Sequence, residues 1–329
     1  MSLTEIIGGG PGKDGIPAID QPDFVPVPEA DQWLDNREPV LVVDIGGDAR
    51  AYPLQILIWH EIVNDQVGGQ PITVTYCPLC NTGLVFDARI SDGQVLEFGV
   101  SGNLRHSDLV MYDRTTESWW QQATGTAIVG ELAGYKLEPV PATLVSWKEF
   151  KTARPGGKVL SKDTGYLRPY GSNPYQGYDT GKPFLFQGPA DNRLPAAERV
   201  VTVTLGKQDV AFPFSLLKAK GAVSYTLDAG PVVVFHKPGT ASALDDSSIA
   251  QGRDVGAAAV FVPQVEGRQL TFSRQDEVFQ DQETGSYWNL LGEAVAGPLA
   301  GKRLEPVVHG NHFWFAWAVF KPGTVVVKE

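Results

Sequence analysis

The sequence predicts a mostly β, α+β protein made of two tandem, diverged repeats of an antiparallel β-rich unit with short helices. Three observations carry this expectation. Runs of alternating apolar and polar residues recur between turn signals spaced by about 8 to 12 residues. The 24 prolines and 36 glycines break the chain too often for long helices. Segments of the first half also reappear, in the same order, in the second.

The recurrence runs from the first strands to the tails. Val40 to Pro53 reads VLVVDIGGDARAYP and Val200 to Pro213 reads VVTVTLGKQDVAFP. Each is a strand, a Gly-containing turn and a second strand ending in aromatic-Pro. A short helical stretch follows, Leu54-Leu57-Ile58 in one and Phe214-Leu217 in the other. Pro71–Tyr76 (PITVTY) then matches Pro231–Phe235 (PVVVF). Asp113–Val140 aligns with Asp281–Val307 with one deletion, and Trp147 and Phe150 are set against Trp317 and Phe320. The expected organisation is an N-terminal arm at 1–36, repeat 1 at 37–154, a connecting strap at 155–197 and repeat 2 at 198–329.

Within repeat 1, strands are expected at Leu41–Val43, Thr73–Tyr76, Gly83–Asp87, Val95–Val100 and Leu109–Tyr112. One helix starts at Pro53, a residue suited to a first turn. Another starts at Ser146, an N-cap with Glu149 three residues on. The strap, with YLRPYGSNPYQGYD, reads as a surface segment anchored by tyrosines or as a functional cover. Gly8 to Gly15 (GGGPGKDG) is not a phosphate loop, because no strand precedes it and Asp14 stands where Ser or Thr is needed.

Composition narrows the function classes. A chain of 329 residues suits about two domains. The formal charge of -11 and pI near 5.0 set the surface against phosphate backbones, so nucleic acid is not an expected partner. Apolar stretches such as Phe313–Phe320 fall far short of the roughly 20 residues of a membrane span. Met1–Asp20 has no apolar core segment and reads as no signal peptide.

Duplication also acts as a control: a feature of both copies serves the shared fold, and a feature of one copy alone is a candidate for a special role. Asp-x-x-Thr-x-Ser-aromatic-Trp occurs twice (Asp113–Trp120, Asp281–Trp288) and reads as turn chemistry and core. Cys77 and Cys80 occur once; read side by side, Tyr76 to Cys80 falls on Phe235 to Gly239. His60, Glu61 and His106 also belong to the first copy alone.

A Cys-x-x-Cys pair can close a disulfide, hold a soft metal or cycle between dithiol and disulfide. No helix follows Cys80 in the pattern, which argues against a thioredoxin fold. A single Cys-x-x-Cys knuckle is weak for structural zinc, which wants four ligands. Copper(I) held by Cys77, Cys80 and His60, with Glu61 or His106 completing the site, suits the donors better than zinc does. Plainer readings stand beside it: His60 as a helix C-terminal cation, His106 as a loop histidine and the cysteines as a local disulfide. No Ser-His-Asp arrangement or HExxH motif points to a hydrolase.

KDGIPAID (Lys13–Asp20), WHEIVND (Trp59–Asp65), TYCPLCNTG (Thr75–Gly83), SDLVMYDR (Ser107–Arg114), RPYGSNPY (Arg168–Tyr175) and FWFAW (Phe313–Trp317) together resemble the domain-of-unknown-function family 3179. The resemblance spans nearly the whole chain and places His60, Cys77 and Cys80 in family-type motifs. It implies little chemistry. Members look exported, which implies an extracytoplasmic location, with a cytoplasmic one left open. Two functions follow: a metal-binding or redox-active site at Cys77, Cys80 and His60, with a metal- or thiol-dependent oxidoreductase as its enzymatic form, or a non-catalytic binding or scaffold protein with a local disulfide.

Overall fold

The apolar run VLVV becomes a strand, Pro39–Ile45, whose first five residues are all buried. It turns back through Gly46 and Gly47 into Asp48–Pro53, and Pro53 caps the helix Leu54–His60. The computed structural model that shows this describes residues 2–91 and 93–328. Strands take 42% of the chain and helices 14%, so the protein is mostly β, as expected. Among the described residues no helix is long and apolar enough to cross a membrane.

Three sheets frame the region of the cysteines. The first runs Thr143–Ser146, Pro39–Ile45, Asp48–Pro53, Lys158–Leu160 and Phe24–Pro26. The second runs Val325–Val326, Gln208–Pro213, Arg199–Leu205, Gly310–Phe313, Thr82–Asp87, Gln70–Cys77 and Ile62–Val67. The third runs Ile6–Gly8, Phe98–Arg105, Asp108–Asp113, Trp119–Gln121 and Thr126–Val129. Nearly all pairings are antiparallel; Lys158–Leu160 on Asp48–Pro53 and Val325–Val326 on Gln208–Pro213 are parallel. Short stretches of the N-terminal arm, Ile6–Gly8 and Phe24–Pro26, and of the strap, Lys158–Leu160, thus join sheets.

Both Asp-Thr-Ser-Trp motifs form the same bonds. Asp113 accepts from the Thr116 amide (2.6 Å) and Trp120 Nε1 (3.0 Å), and Asp281 accepts from the Thr284 amide (2.6 Å) and Trp288 Nε1 (2.9 Å). Each aspartate and tryptophan is fully buried, so each carboxylate replaces the solvent that the turn and the indole lose.

Several sequence expectations need correction. The strand expected at Val95–Val100 is Phe98–Arg105, because Val95 is drawn into an isolated bridge with Arg89. Ser146 caps Trp147–Ala153 by accepting from the Glu149 amide (3.3 Å), but the Glu149 carboxylate reaches Lys237 (2.8 Å) instead of folding back. The Trp147 amide donates to Glu38 O, and the Trp314 amide donates to Glu198 O. Each bond opens a helix, so Trp147 and Trp314 take the same first position of their helices, whereas the sequence reading set Trp147 against Trp317. Two-residue turns fix the register of the hairpins, with Ile62 facing Thr75 and Ala222 facing Phe235. Counted from those turns, Cys77 and Lys237 hold the same place in their own hairpins, whereas the sequence reading set Cys77 against His236.

The hydrophobic core is woven from distant segments. Phe313, Phe315 and Ala316 pack in one cluster with Cys77, Cys80, Leu57 and Trp120. Val145 and Trp147 pack in another with Val233, Phe235 and Phe261.

Candidate metal centre

Cys77 ends its strand, and Pro78–Cys80 forms a single 3-10 turn closed by Asn81 in the left-handed region (φ 50°). The next strand starts at Thr82, so no α-helix follows the pair, and Cys77 caps only this single 3-10 turn. A second tight connection approaches from the third sheet. Arg105 pairs with Asp108 across a two-residue turn in which His106 (φ 53°) and Ser107 (φ 70°) are both left-handed. That turn presents the Ser107 carbonyl to the Cys77 thiol (3.7 Å) and places Asp108 beside both sulfurs. One ligand atom each from Cys77, Cys80 and Asp108 lie within 4.8 Å of one another. Both cysteines are free thiols.

All three groups are buried. Asp108 Oδ2 accepts from the Ala123 amide (2.9 Å) and from Gln121 Nε2, while Oδ1 has no hydrogen-bond partner among the described residues. Burial pushes the Asp108 carboxyl up to about 6 against the bonds that favour its anion. Burial likewise raises both thiols, Cys80 most, with Cys77 adding to the rise at Cys80. Glu61 follows directly after the helix Leu54–His60 and is buried as well. Its carboxyl is pushed up to about 8, by desolvation first and then by Asp108.

Glu61 occupies a left-handed backbone position (φ 60°), where Gly221 (φ 75°) closes the other helix of this kind. A glycine relieves such strain, so a glutamate held there is retained at a cost of about 1 kcal/mol. Left-handed non-glycine residues also occur at Asn81, next to Cys80 in the chain, and at His106 and Ser107, in the turn before Asp108.

The histidines lie elsewhere. His60 Nδ1 donates to the Pro17 carbonyl (2.7 Å), and Nε2 meets the Tyr170 hydroxyl (2.6 Å). Both ring nitrogens are taken by the arm and the strap, so His60 does not converge on the cysteines as its place in the sequence suggested. His106 packs its ring near Phe186 and Phe320, with Nε2 at 3.4 Å from Glu5, and it too stays out of the three-residue group. Asp108 is the member that sequence reasoning missed. Its only local signal is a position just past a polar two-residue turn, at the head of the buried strand DLVMYD.

The strap covers the site. Tyr175 and Tyr178 have their phenols raised by burial first, with Glu61 and Cys77 adding at Tyr175 and Cys80 and Cys77 adding at Tyr178. Ser107 Oγ donates to the Phe184 carbonyl, tying the strap to the turn that positions Asp108.

The family model described as "Protein of unknown function (DUF3179)" matches residues 13–324. The chain belongs to this family. No curated protein and no solved structure matches it. Within this DUF3179 chain the motif segments WHEIVND, TYCPLCNTG and SDLVMYDR supply Glu61, the cysteines and Asp108, and RPYGSNPY supplies Tyr170 and Tyr175.

Proposed function

We propose that Cys77, Cys80 and Asp108 form a metal-binding centre that takes a thiophilic ion, zinc rather than copper. One observation carries the reading: two thiols and two carboxyl groups, those of Asp108 and Glu61, are buried together with no cationic partner among the described residues. Without an ion, burial keeps the thiols and Glu61 in their neutral, protonated forms; their anions could stand together here only with a cation to neutralise them. An ion would fill that role and would accept the unpartnered Oδ1. Two thiolates with one carboxylate oxygen suit zinc, and the imidazole that favoured copper is engaged elsewhere.

Three protein donors leave one position of a tetrahedral ion for water or a substrate atom. The ion would supply Lewis acidity at that position. Glu61, with its carboxyl near neutrality, is the group here suited to hold or pass a proton. Tyr175 and Tyr178, packed against the core cluster that holds both cysteines, would shield the same space from bulk water.

The second half of the chain adds support if the halves are copies of one unit. The same pairings recur: an antiparallel hairpin, an antiparallel strand on one side of it, a parallel strand on the other and a two-residue hairpin after the helix. At the place of Cys77, Lys237 bonds Glu149 (2.8 Å) and Glu277 (3.0 Å). An ammonium stands there among carboxylates, which supports a cation at this place in the unit. An extracytoplasmic location rests on family resemblance; a bound ion would then keep the thiolates from oxidising.

Metal content and free thiols measured on protein purified without chelator test the reading. About one zinc per chain, with both thiols masked until the metal is removed, is the expected result. Two freely titrating thiols that bind no added zinc refute it, and a reversible disulfide in metal-free protein would favour the dithiol redox alternative.

A further inference from the structure

A cleft of about 780 Å³ opens between the two halves, away from the strap. Leu84, Phe86, Ile128, Leu137 and Val319 line it, and Trp317 and His312 reach it from the last part of the chain. The volume and the apolar lining suit a small organic molecule, for which a few fixed polar groups set orientation.

His312 is such a group. Its Nδ1 lies 2.8 Å from Thr82 Oγ1, and Thr82 Oγ1 donates to the Cys80 carbonyl (3.2 Å). The hydroxyl has one proton, and a carbonyl can only accept. Both bonds form only if His312 Nδ1–H donates to Thr82, which leaves Nε2 as a bare lone pair. That Nε2 is buried and has no partner among the described residues. The imidazole is neutral at physiological pH, its pKa pushed down to about 3 by burial first and then by His309. A Cβ at Gly310 would sit 2.3 Å from Nε2, so the strand leaves room for the ring only because residue 310 is glycine. An unpaired buried acceptor beside an apolar cleft calls for a donor from a ligand.

We propose that this cleft binds a small, largely apolar molecule carrying a hydroxyl or amine, whose proton is donated to His312 Nε2. The assignment is independent of the metal centre, although Gln121 and Ala123, which hold Asp108, also line the cleft.

Titration with 4-hydroxybiphenyl and with its methyl ether, 4-methoxybiphenyl, followed by calorimetry and by tryptophan fluorescence, tests the proposal. The phenol should bind about tenfold tighter than the ether, because only the phenol satisfies Nε2. In His312→Leu that preference should vanish while the ether still binds. Ile128→Trp fills the cleft from its opposite wall and should abolish binding of both, which keeps the test decisive even if His312→Leu fails to fold. Equal binding of phenol and ether to the parent protein, no binding of either, or binding unaffected by Ile128→Trp would overturn the proposal.

Discussion

Replacing Glu61 by glutamine should stabilise the metal-free protein, and by an amount that grows with pH. The Glu61 carboxyl is buried, no hydrogen bond or ion pair reaches it among the described residues, and its pKa is pushed up to about 8 from 4.5. Below about pH 4.5 the folded and unfolded chains both carry the proton, and the glutamine variant should match the parent. Between about 4.5 and 8 the unfolded chain releases the proton and the folded chain keeps it. The folded state then binds more protons, so parent stability falls as pH rises through that window and levels off above it. At pH 7 about 2.5 units of the window have been crossed, or about 3 kcal/mol at about 1.4 kcal/mol per unit. Urea unfolding in the presence of chelator, at pH 4.5, 6 and 7.5, should show the two proteins diverging by that order. Added zinc should shrink or reverse the gap, because the ion then favours the carboxylate. A difference that stays constant across pH would refute the view that Glu61 is held protonated by its surroundings.

Cys77→Ser with Cys80→Ser should abolish zinc uptake while a cooperative urea transition persists; loss of folding in the double variant would make the pair structural. Asp108→Asn keeps an acceptor for the Ala123 amide but removes the charge, and should weaken zinc binding by about 100-fold or more in a competition titration with a chromophoric chelator. His60→Phe breaks the bonds to Pro17 and Tyr170 and should cost about 1 to 3 kcal/mol in denaturant unfolding with zinc stoichiometry unchanged. A zinc-free His60→Phe protein would instead return His60 to the site.

The strands were legible because local pattern dictates them: VLVVDI and ITVTY carry enough apolar and β-branched residues to announce themselves. The cysteine pair was legible because it is a local motif. Asp108 was not, since it meets the sulfurs only through a turn formed by His106 and Ser107, two residues that lack the Asn-Gly signature of such turns. His60 misled for the opposite reason. Its neighbours in sequence suggested a ligand, while Pro17 and Tyr170, which claim its nitrogens, come from 43 and 110 residues away. Matching Tyr76 to Phe235 by aromatic character set Cys77 against His236, whereas counting from the two hairpin turns sets it against Lys237, because the turns and not the aromatic residues fix each register.

The strand Gly310–Phe313, wedged between Arg199–Leu205 and Thr82–Asp87, imposes an order of events on the newborn chain. Cys77 and Cys80 are synthesised long before Phe313, Phe315 and Ala316, which close the cluster around them. Until those later residues emerge from the ribosome, or from a translocation channel, the cluster around the thiols is incomplete. Afterwards they are sealed. On the metal-binding reading, loading would precede that closure, and a chain stalled or truncated before residue 310 would leave its thiols exposed.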